Sequence, residues 1–214
     1  MLLDIQQLAN KYFSNLKGVL HVGAHFGQEI NEYRKLGCKN MLFFEPQPAV
    51  LPKLLANVAP KHEENIWVYP FALGNFDGSI EMNVETANGG MSSSLLNANL
   101  HSAQYPHIVF HSKVTVDIRK LSTIVHDDCI DMTKYNLMNV DVQGYEMEVF
   151  KGAESLLHHI DYIITEVNTE ELYYGCPMLY EIDSYLISKG FLRREMSMDG
   201  GNWGDALYVR VQNS

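Results

Sequence analysis

Apolar residues in this chain fall in short blocks separated by turn signals, and the blocks alternate between helical and strand-like periods. Leu3, Ile5, Leu8, Tyr12 and Phe13 sit at helical spacing and predict a leading helix over 3–14, part of a 1–17 segment that covers one sheet edge. Near-continuous apolar runs at 18–23, 40–45 and 66–73 read as strands. Helical patterns over 27–36 and 49–59 separate them. Gly37 is placed to end the first in a left-handed cap, and Pro46 and Pro48 punctuate the entry to the second. This βαβαβ order predicts parallel strands joined by right-handed crossovers.

The middle third changes character. Gly74-Asn-Phe-Asp-Gly78 is a turn, and Ser79–Glu85 and Val109–Ile118 alternate like exposed or edge strands. Between them, 86–107 is rich in Asn, Ser, Gly and His without a period, so 74–118 reads as an irregular, antiparallel insertion. A loop of that length inside a domain is usually functional or mobile. His101, His107 and His111 ride this segment and are expected at the surface. A short helix over 121–126 follows, and the αβ rhythm then returns: strand 137–142, helix 145–158, strand 160–166, helix 179–189 ended by Gly190, and terminal strands 191–196 and 205–212. No linker or repeat divides the chain, so 1–214 is expected to form a single domain.

The composition removes some partners. Sixteen Lys and Arg stand against 26 Asp and Glu, a formal charge of −10, with no basic run longer than two residues. Proteins that grip phosphate backbones cluster positive charge, so nucleic acid is not the expected partner. The three cysteines, Cys38, Cys129 and Cys176, have no metal-ligand spacing and fit reduced thiols in the cytoplasm. No apolar run approaches the roughly 18 residues of a membrane span.

Chemistry concentrates at strand ends. The first strand runs into a turn containing Gly23 and Gly27, and the second ends at Glu45. That is the first half of a nucleotide-binding α/β unit, in which glycines admit close backbone approach and the acid accepts from ribose hydroxyls. The wide Gly-x-x-x-Gly spacing differs from the closely spaced dinucleotide fingerprint, and no Gly-Lys-Ser/Thr follows, so neither a dehydrogenase nor a Walker loop is indicated. Asp141, near the end of the fourth strand, and Glu166, at the end of the fifth, converge on the same rim.

These motifs resemble the FkbM-type S-adenosylmethionine-dependent methyltransferases. Val19-Leu-His-Val-Gly-Ala-His-Phe-Gly-Gln-Glu29, Phe43-Phe-Glu-Pro46, Ala72-Leu-Gly-Asn-Phe-Asp-Gly78 and, most specifically, Val140-Asp-Val-Gln-Gly-Tyr-Glu-Met-Glu-Val-Phe-Lys-Gly-Ala153 carry the likeness in order along 18–195. Position 21 is His where the family more often has Asp, which would move the contact with the cofactor's amino group to Glu29. Position 143 is Gln where Glu is usual.

The resemblance implies a Rossmann-like class I methyltransferase fold: a mainly parallel seven-stranded sheet with an antiparallel terminal strand and helices on both faces. S-adenosylmethionine would lie across the rim, with His21, the backbone at Gly23, Ala24, His25 and Gly27, and Glu29 near its methionine tail. Glu45 would take the ribose, Phe44 and Pro46 would edge the adenine, and Phe71, Ala72 and Leu73 would form its other wall. Asp141 and Glu166 would be the catalytic carboxylates, accepting the proton of a hydroxyl as it is methylated. Ser92, Ser93, Gln143 and Asn168 would meet the substrate, with the Asn88–Ser94 stretch as a flap. A small-molecule or glycan acceptor, through a sugar hydroxyl, is the expected substrate. Asp141 and Glu166 could also hold Mg²⁺, although a metal is not the favoured reading. Two alternatives stand beside this one: a non-catalytic nucleoside-binding partner module, and a methyltransferase acting on RNA or protein.

Overall fold

The computed structural model describes residues 1–211; the last residue of the expected 205–212 strand and the end of the expected 1–214 domain lie outside them. In chain order the elements are α1 (Ile5–Tyr12), β1 (Gly18–Val22), α2 (Ile30–Lys35), β2 (Asn40–Phe44), α3 (Leu51–Asn57), β3 (Asn65–Tyr69), β4 (Ala72–Leu73), β5 (Gly78–Glu85), α4 (Leu100–Gln104), β6 (Phe110–Arg119), α5 (Leu121–Asp127), β7 (Leu137–Val140), α6 (Glu146–Gly152), β8 (Tyr162–Asn168), α7 (Leu179–Ser188), β9 (Phe191–Met198) and β10 (Trp203–Arg210).

Seven strands form the main sheet in the order β3-β2-β1-β7-β8-β10-β9, and only β10 runs against the others. Successive residues of a strand face opposite sides, and each side here has its own core. Leu20, Val22, Leu42, Phe44, Met138 and Val140 pack towards Ile124, Phe150 and Leu186 of α5, α6 and α7. Val19, Met41, Phe43 and Leu137 pack the other way, towards Leu8, Tyr33 and Leu54 of α1, α2 and α3. Helices thus cover both faces, which is why β1 carries no exposed residue. Truncating a fully buried leucine such as Leu54 would cost roughly 2–5 kcal/mol. Local signals agree with the packing. Asp4 caps α1 by accepting from the N–H groups of Gln6 (2.9 Å) and Gln7 (3.1 Å), and Gly37 ends α2 at φ +76°.

Beside the main sheet lies a three-stranded one, β4-β6-β5, built from the insertion. Here two expected elements divide. The 66–73 strand breaks at Pro70, so β3 stays in the main sheet while Ala72–Leu73 pairs with Ile118–Arg119. Proline has no N–H to give a ladder, and the break releases the chain into the second sheet. The 145–158 helix stops at Gly152, where an added Cβ would lie 1.8 Å from the Gly74 carbonyl oxygen, and continues as a 3₁₀ turn over Glu154–His159. The 86–107 loop holds a helix that its composition did not reveal, α4. It is tied to the segment after β8 by Asn99 and His101 N–H groups donating to the Leu172 carbonyl, at 2.8 and 3.1 Å.

Candidate active site

The strand order reverses between β1, which leads outward to β2 and β3, and β7, which leads the other way to β8. Crevices beyond the carboxyl ends of strands at such a switch point are where open α/β sheets bind ligands. The chain makes this crevice with backbone conformation. Gly23 has φ +77°, and a Cβ there would fall 1.8 Å from the carbonyl oxygen of Asp141. His25 also lies in the left-handed region, at φ +45°, as does Gln143 at +54°. Non-glycine residues rarely adopt this conformation, and when they do it often marks a functional turn.

Glu45, just past β2, is buried beneath this turn. Its Oε2 accepts from the N–H of His25 and its Oε1 from that of Gln47, both at 2.8 Å. Burial pushes its pKa up, and the two backbone bonds pull against that shift. Each carboxylate oxygen retains capacity for a second donor. His21 is likewise buried: the Tyr33 hydroxyl lies 3.2 Å from its Nδ1, and Asn139 Nδ2 donates to the same hydroxyl at 2.8 Å. Desolvation lowers its pKa, so the ring is neutral at pH 7.

Asp141 and Glu166 are brought together by the residue between them in the rim. The side-chain amide of Gln143 donates to Asp141 Oδ1 and to Glu166 Oε2, each at 2.8 Å, and Gln143 Oε1 lies 3.0 Å from the Tyr173 hydroxyl. Burial first, and then the charges of Asp141, Glu146 and Asp205, hold the Glu166 pKa well above the ordinary carboxylate range. Glu146 lies behind this pair. It accepts the N–H groups of Val142 and Gly144 at 3.1 Å, and burial raises its pKa to about 7. Among the described residues no group of three or more His, Cys, Asp or Glu is disposed to hold a metal ion. A cation between Asp141 and Glu166 would also meet the amide hydrogens of Gln143.

The insertion closes over this rim. His25 Nε2 lies 2.9 Å from the Gly89 carbonyl oxygen, and Gln47 Nε2 donates to that of Gly90 at 3.1 Å. Since Gln28 Nε2 lies 3.0 Å from His25 Nδ1, the consistent tautomer carries its hydrogen on Nε2. The buried Glu85 accepts from the N–H groups of Asn88 (2.7 Å) and Ser92 (3.3 Å), giving the Asn88–Ser94 stretch a fixed centre. Ser93 Oγ accepts from the Glu85 N–H at 3.2 Å, and the Ser92 carbonyl oxygen lies 3.0 Å from the Tyr173 hydroxyl.

Together these parts enclose one cavity of about 530 Å³. Of the residues expected to bind, His21, Gly23, Ala24, His25, Glu29, Phe44, Glu45, Pro46, Ala72, Leu73, Ser92, Ser93, Asp141, Gln143 and Glu166 line it. Gly27, Phe71 and Asn168 do not. Gly27 is pressed against Leu54 and Val58, and Phe71 packs with Phe44 and Tyr69. Asn168 is fully buried, with Nδ2 3.5 Å from Glu166 Oε1. The expectation of a surface His101 is corrected: it is 4% exposed and lines the cavity with Tyr105, His107 and Trp203. Its burial depends on Tyr173, far along the chain, as well as on Tyr105 and Phe110, and α4 is only five residues long, so no period could announce it. Trp203 was open to inference, because an antiparallel β10 brings its first residue to the rim where β8 ends.

Residues 21–193 match the family described as the Methyltransferase FkbM domain. The chain belongs to that family. It is also similar to the 2-O-methyltransferase NoeI of Sinorhizobium fredii (strain NBRC 101917 / NGR234), at 26% identity over 165 residues. That alignment covers 73% of this chain but only 65% of the longer relative. In fold it resembles the ribosomal protein L11 methylase of Lactobacillus delbrueckii subsp. bulgaricus, with TM-score 0.54, 12% identity, and coverage of 97% of this chain and 76% of that one. It likewise resembles Streptococcus pneumoniae Sp1610 in complex with S-adenosyl-L-methionine, with TM-score 0.50, 13% identity, and coverage of 100% and 75%. The fold is that of Rossmann-like methyltransferases, as the family resemblance implied.

Proposed function

We propose that this FkbM-family chain transfers a methyl group from S-adenosylmethionine to an oxygen, most specifically a sugar hydroxyl of a glycan or glycosylated metabolite. The observation that carries this reading is the chemistry of one continuous cavity. Four carboxylates, Glu29, Glu45, Asp141 and Glu166, line it, and among the described residues no Lys or Arg does. Such a wall suits a cationic ligand and is unfavourable to phosphate. A volume of about 530 Å³ lies within the range of small-molecule sites.

The donor set fits the cofactor. The outer lone pairs of Glu45 can accept both ribose hydroxyls, while Gly23 and Ala24 present bare backbone beside Asp141. When bound, the cofactor supplies an already activated methyl group, so the chain's task is alignment and proton removal. Asp141 and Glu166 form the proton-accepting pair, held in register by the Gln143 amide. A carboxylate whose pKa is raised, as at Glu166, is the stronger base towards a hydroxyl that is becoming an ether. The similarity to NoeI, a 2-O-methyltransferase, is in keeping with an oxygen acceptor.

Calorimetry with S-adenosylhomocysteine tests the first half of this reading: the wild type binds and Glu45→Ala binds far more weakly. A glycan-acceptor screen with Asp141→Asn and Glu166→Gln, with and without a chelator, tests the second. Full turnover by both variants would remove the two carboxylates from the chemistry.

A further inference from the structure

The rim reads in strand order: Glu45 after β2, the glycine turn after β1, Asp141 after β7, Glu166 in β8 and Trp203 at the start of β10. At about 4.8 Å between neighbouring strands, Trp203 stands about 19 Å from the Glu45 end. The cofactor reading accounts for the wall from Glu45 to Asp141. It leaves unexplained the lobe beyond Glu166, walled by His101, Tyr105, His107, Ile108, Leu172 and Trp203.

That lobe contains a polar group without a partner. His101 is 96% buried by its 4% exposure, lines the cavity, and has an Nδ1 that is sealed from solvent and bonded to nothing among the described residues. Sealed as it is, Nδ1 lies out of a ligand's reach, whereas Nε2 is not sealed and has no hydrogen-bond partner among the described residues, so it is the ring nitrogen that can meet a group in the cavity. The ring is nonetheless firmly seated, between Tyr105, Phe110 and Tyr173 at centroid distances of 5.0, 5.7 and 5.2 Å. Desolvation lowers its pKa, so the ring is neutral and presents Nε2 as either donor or acceptor, according to its tautomer. Beside it, Trp203 Nε1 donates to the Tyr105 hydroxyl at 3.1 Å, which fixes two aromatic side chains at the wall.

We propose that this lobe seats the methyl acceptor, that it takes an uncharged, hydroxyl-bearing sugar ring against Trp203 and Tyr105, and that His101 hydrogen-bonds one of the ring's hydroxyls. The inference rests on the methyl-transfer reading and extends it by assigning the acceptor's seat. Aromatic walls suit the C–H face of a pyranose, whereas a lining without Lys or Arg among the described residues disfavours a sugar phosphate or a polynucleotide. His101 acts here as a binding residue, at the opposite side of Glu166 from the cofactor's own contacts.

Trp67 and Trp203 are the two tryptophans, and Trp67 is 63% exposed on β3, away from the cavity. Trp67→Phe therefore leaves Trp203 as the sole reporter. In that full-length background, saturated with S-adenosylhomocysteine, Trp203 emission is titrated with methyl glycosides of glucose, galactose, mannose and rhamnose, and with glucose 6-phosphate and oligouridylate. At least one neutral glycoside should give a saturable change, and His101→Gln should weaken it about tenfold, the scale of one lost hydrogen bond. S-adenosylhomocysteine affinity by calorimetry should stay unchanged in that variant. No response to any glycoside, a response only to the phosphate or oligouridylate, or equal binding by His101→Gln would overturn the assignment. Should His101→Gln fail to fold, the wild-type His101 ring nitrogens decide: their NMR resonances must move on addition of the binding glycoside. Failure of S-adenosylhomocysteine to bind would instead strike the cofactor reading, so the two failures are distinguishable.

Discussion

The two ends of the cavity are built by opposite means. At the glycine-turn end, main chain does most of the work: left-handed residues, strand-end N–H groups and a carboxylate clamped by two of them at 2.8 Å. At the other end side chains dominate, with His101 in a five-residue helix, Tyr105 just past its end and Trp203 the first residue of the reversed strand. Backbone walls tolerate little change, because altering them means altering strand ends. Side-chain walls can be exchanged without disturbing the sheet. A site that uses one invariant reagent and one variable partner would be divided in this way.

Gly23→Ala should have the largest effect. With φ +77° and a carbonyl oxygen 1.8 Å from the new Cβ, the turn has no room to yield. The expected loss is about 3 kcal/mol or more, seen as a fall in Tm of about 6–12 °C for a chain of this size, with loss of cofactor binding. An unchanged melting curve would contradict the view that backbone fit governs this end.

Glu45→Ala should come next, weakening S-adenosylhomocysteine by about 10- to 100-fold in calorimetry as charge-assisted bonds are lost. Glycoside binding at the far lobe should be little affected, and comparable loss of both would merge the two ends into one unit.

Glu146 offers a test by pH. Its pKa rises from 4.5 to about 7 on folding, so the folded state binds the extra proton across that window. Stability from this group is full below about pH 4.5 and is lost as pH climbs through 7. Glu146→Gln keeps an oxygen for the Val142 and Gly144 N–H groups but cannot ionise. Its Tm relative to wild type should therefore increase with pH across that window; a flat difference would refute the buried proton.

The smallest effect belongs to His25→Asn. Asparagine tolerates the left-handed backbone but is too short to reach the Gly89 carbonyl oxygen. Hydrogen exchange in 86–94 should quicken about fivefold, matching roughly 1 kcal/mol for one bond. Unaltered exchange would assign the loop's order to Glu85 alone.

The same division decided what could be read from the residues. Gly23, Glu45, Asp141 and Glu166 were legible because period and strand order place them at carboxyl ends, a rule that holds whatever covers the rim. The break at Pro70 was not resolved, since Phe71-Ala-Leu73 continues an apolar run and its new partners, Ile118 and Arg119, lie far along the chain. His101 escaped because its burial depends on Phe110, Tyr173 and Tyr105, brought together only by the tie to Leu172. Gln143 was legible as a departure from an acid, while its bridging of two carboxylates needed the strained turn at φ +54° to be seen.

Tyr173 carries a single phenolic hydrogen, yet two oxygens stand 3.0 Å away, one on the Ser92 carbonyl and one on the Gln143 amide. One O–H can point at only one of them. When it faces the loop, the amide oxygen gives up its tether; when it turns to the amide, the loop does. The covering segment and the amide that bridges the two acids thus compete for the same hydrogen, and rotation about one C–O bond is enough to turn it from one to the other.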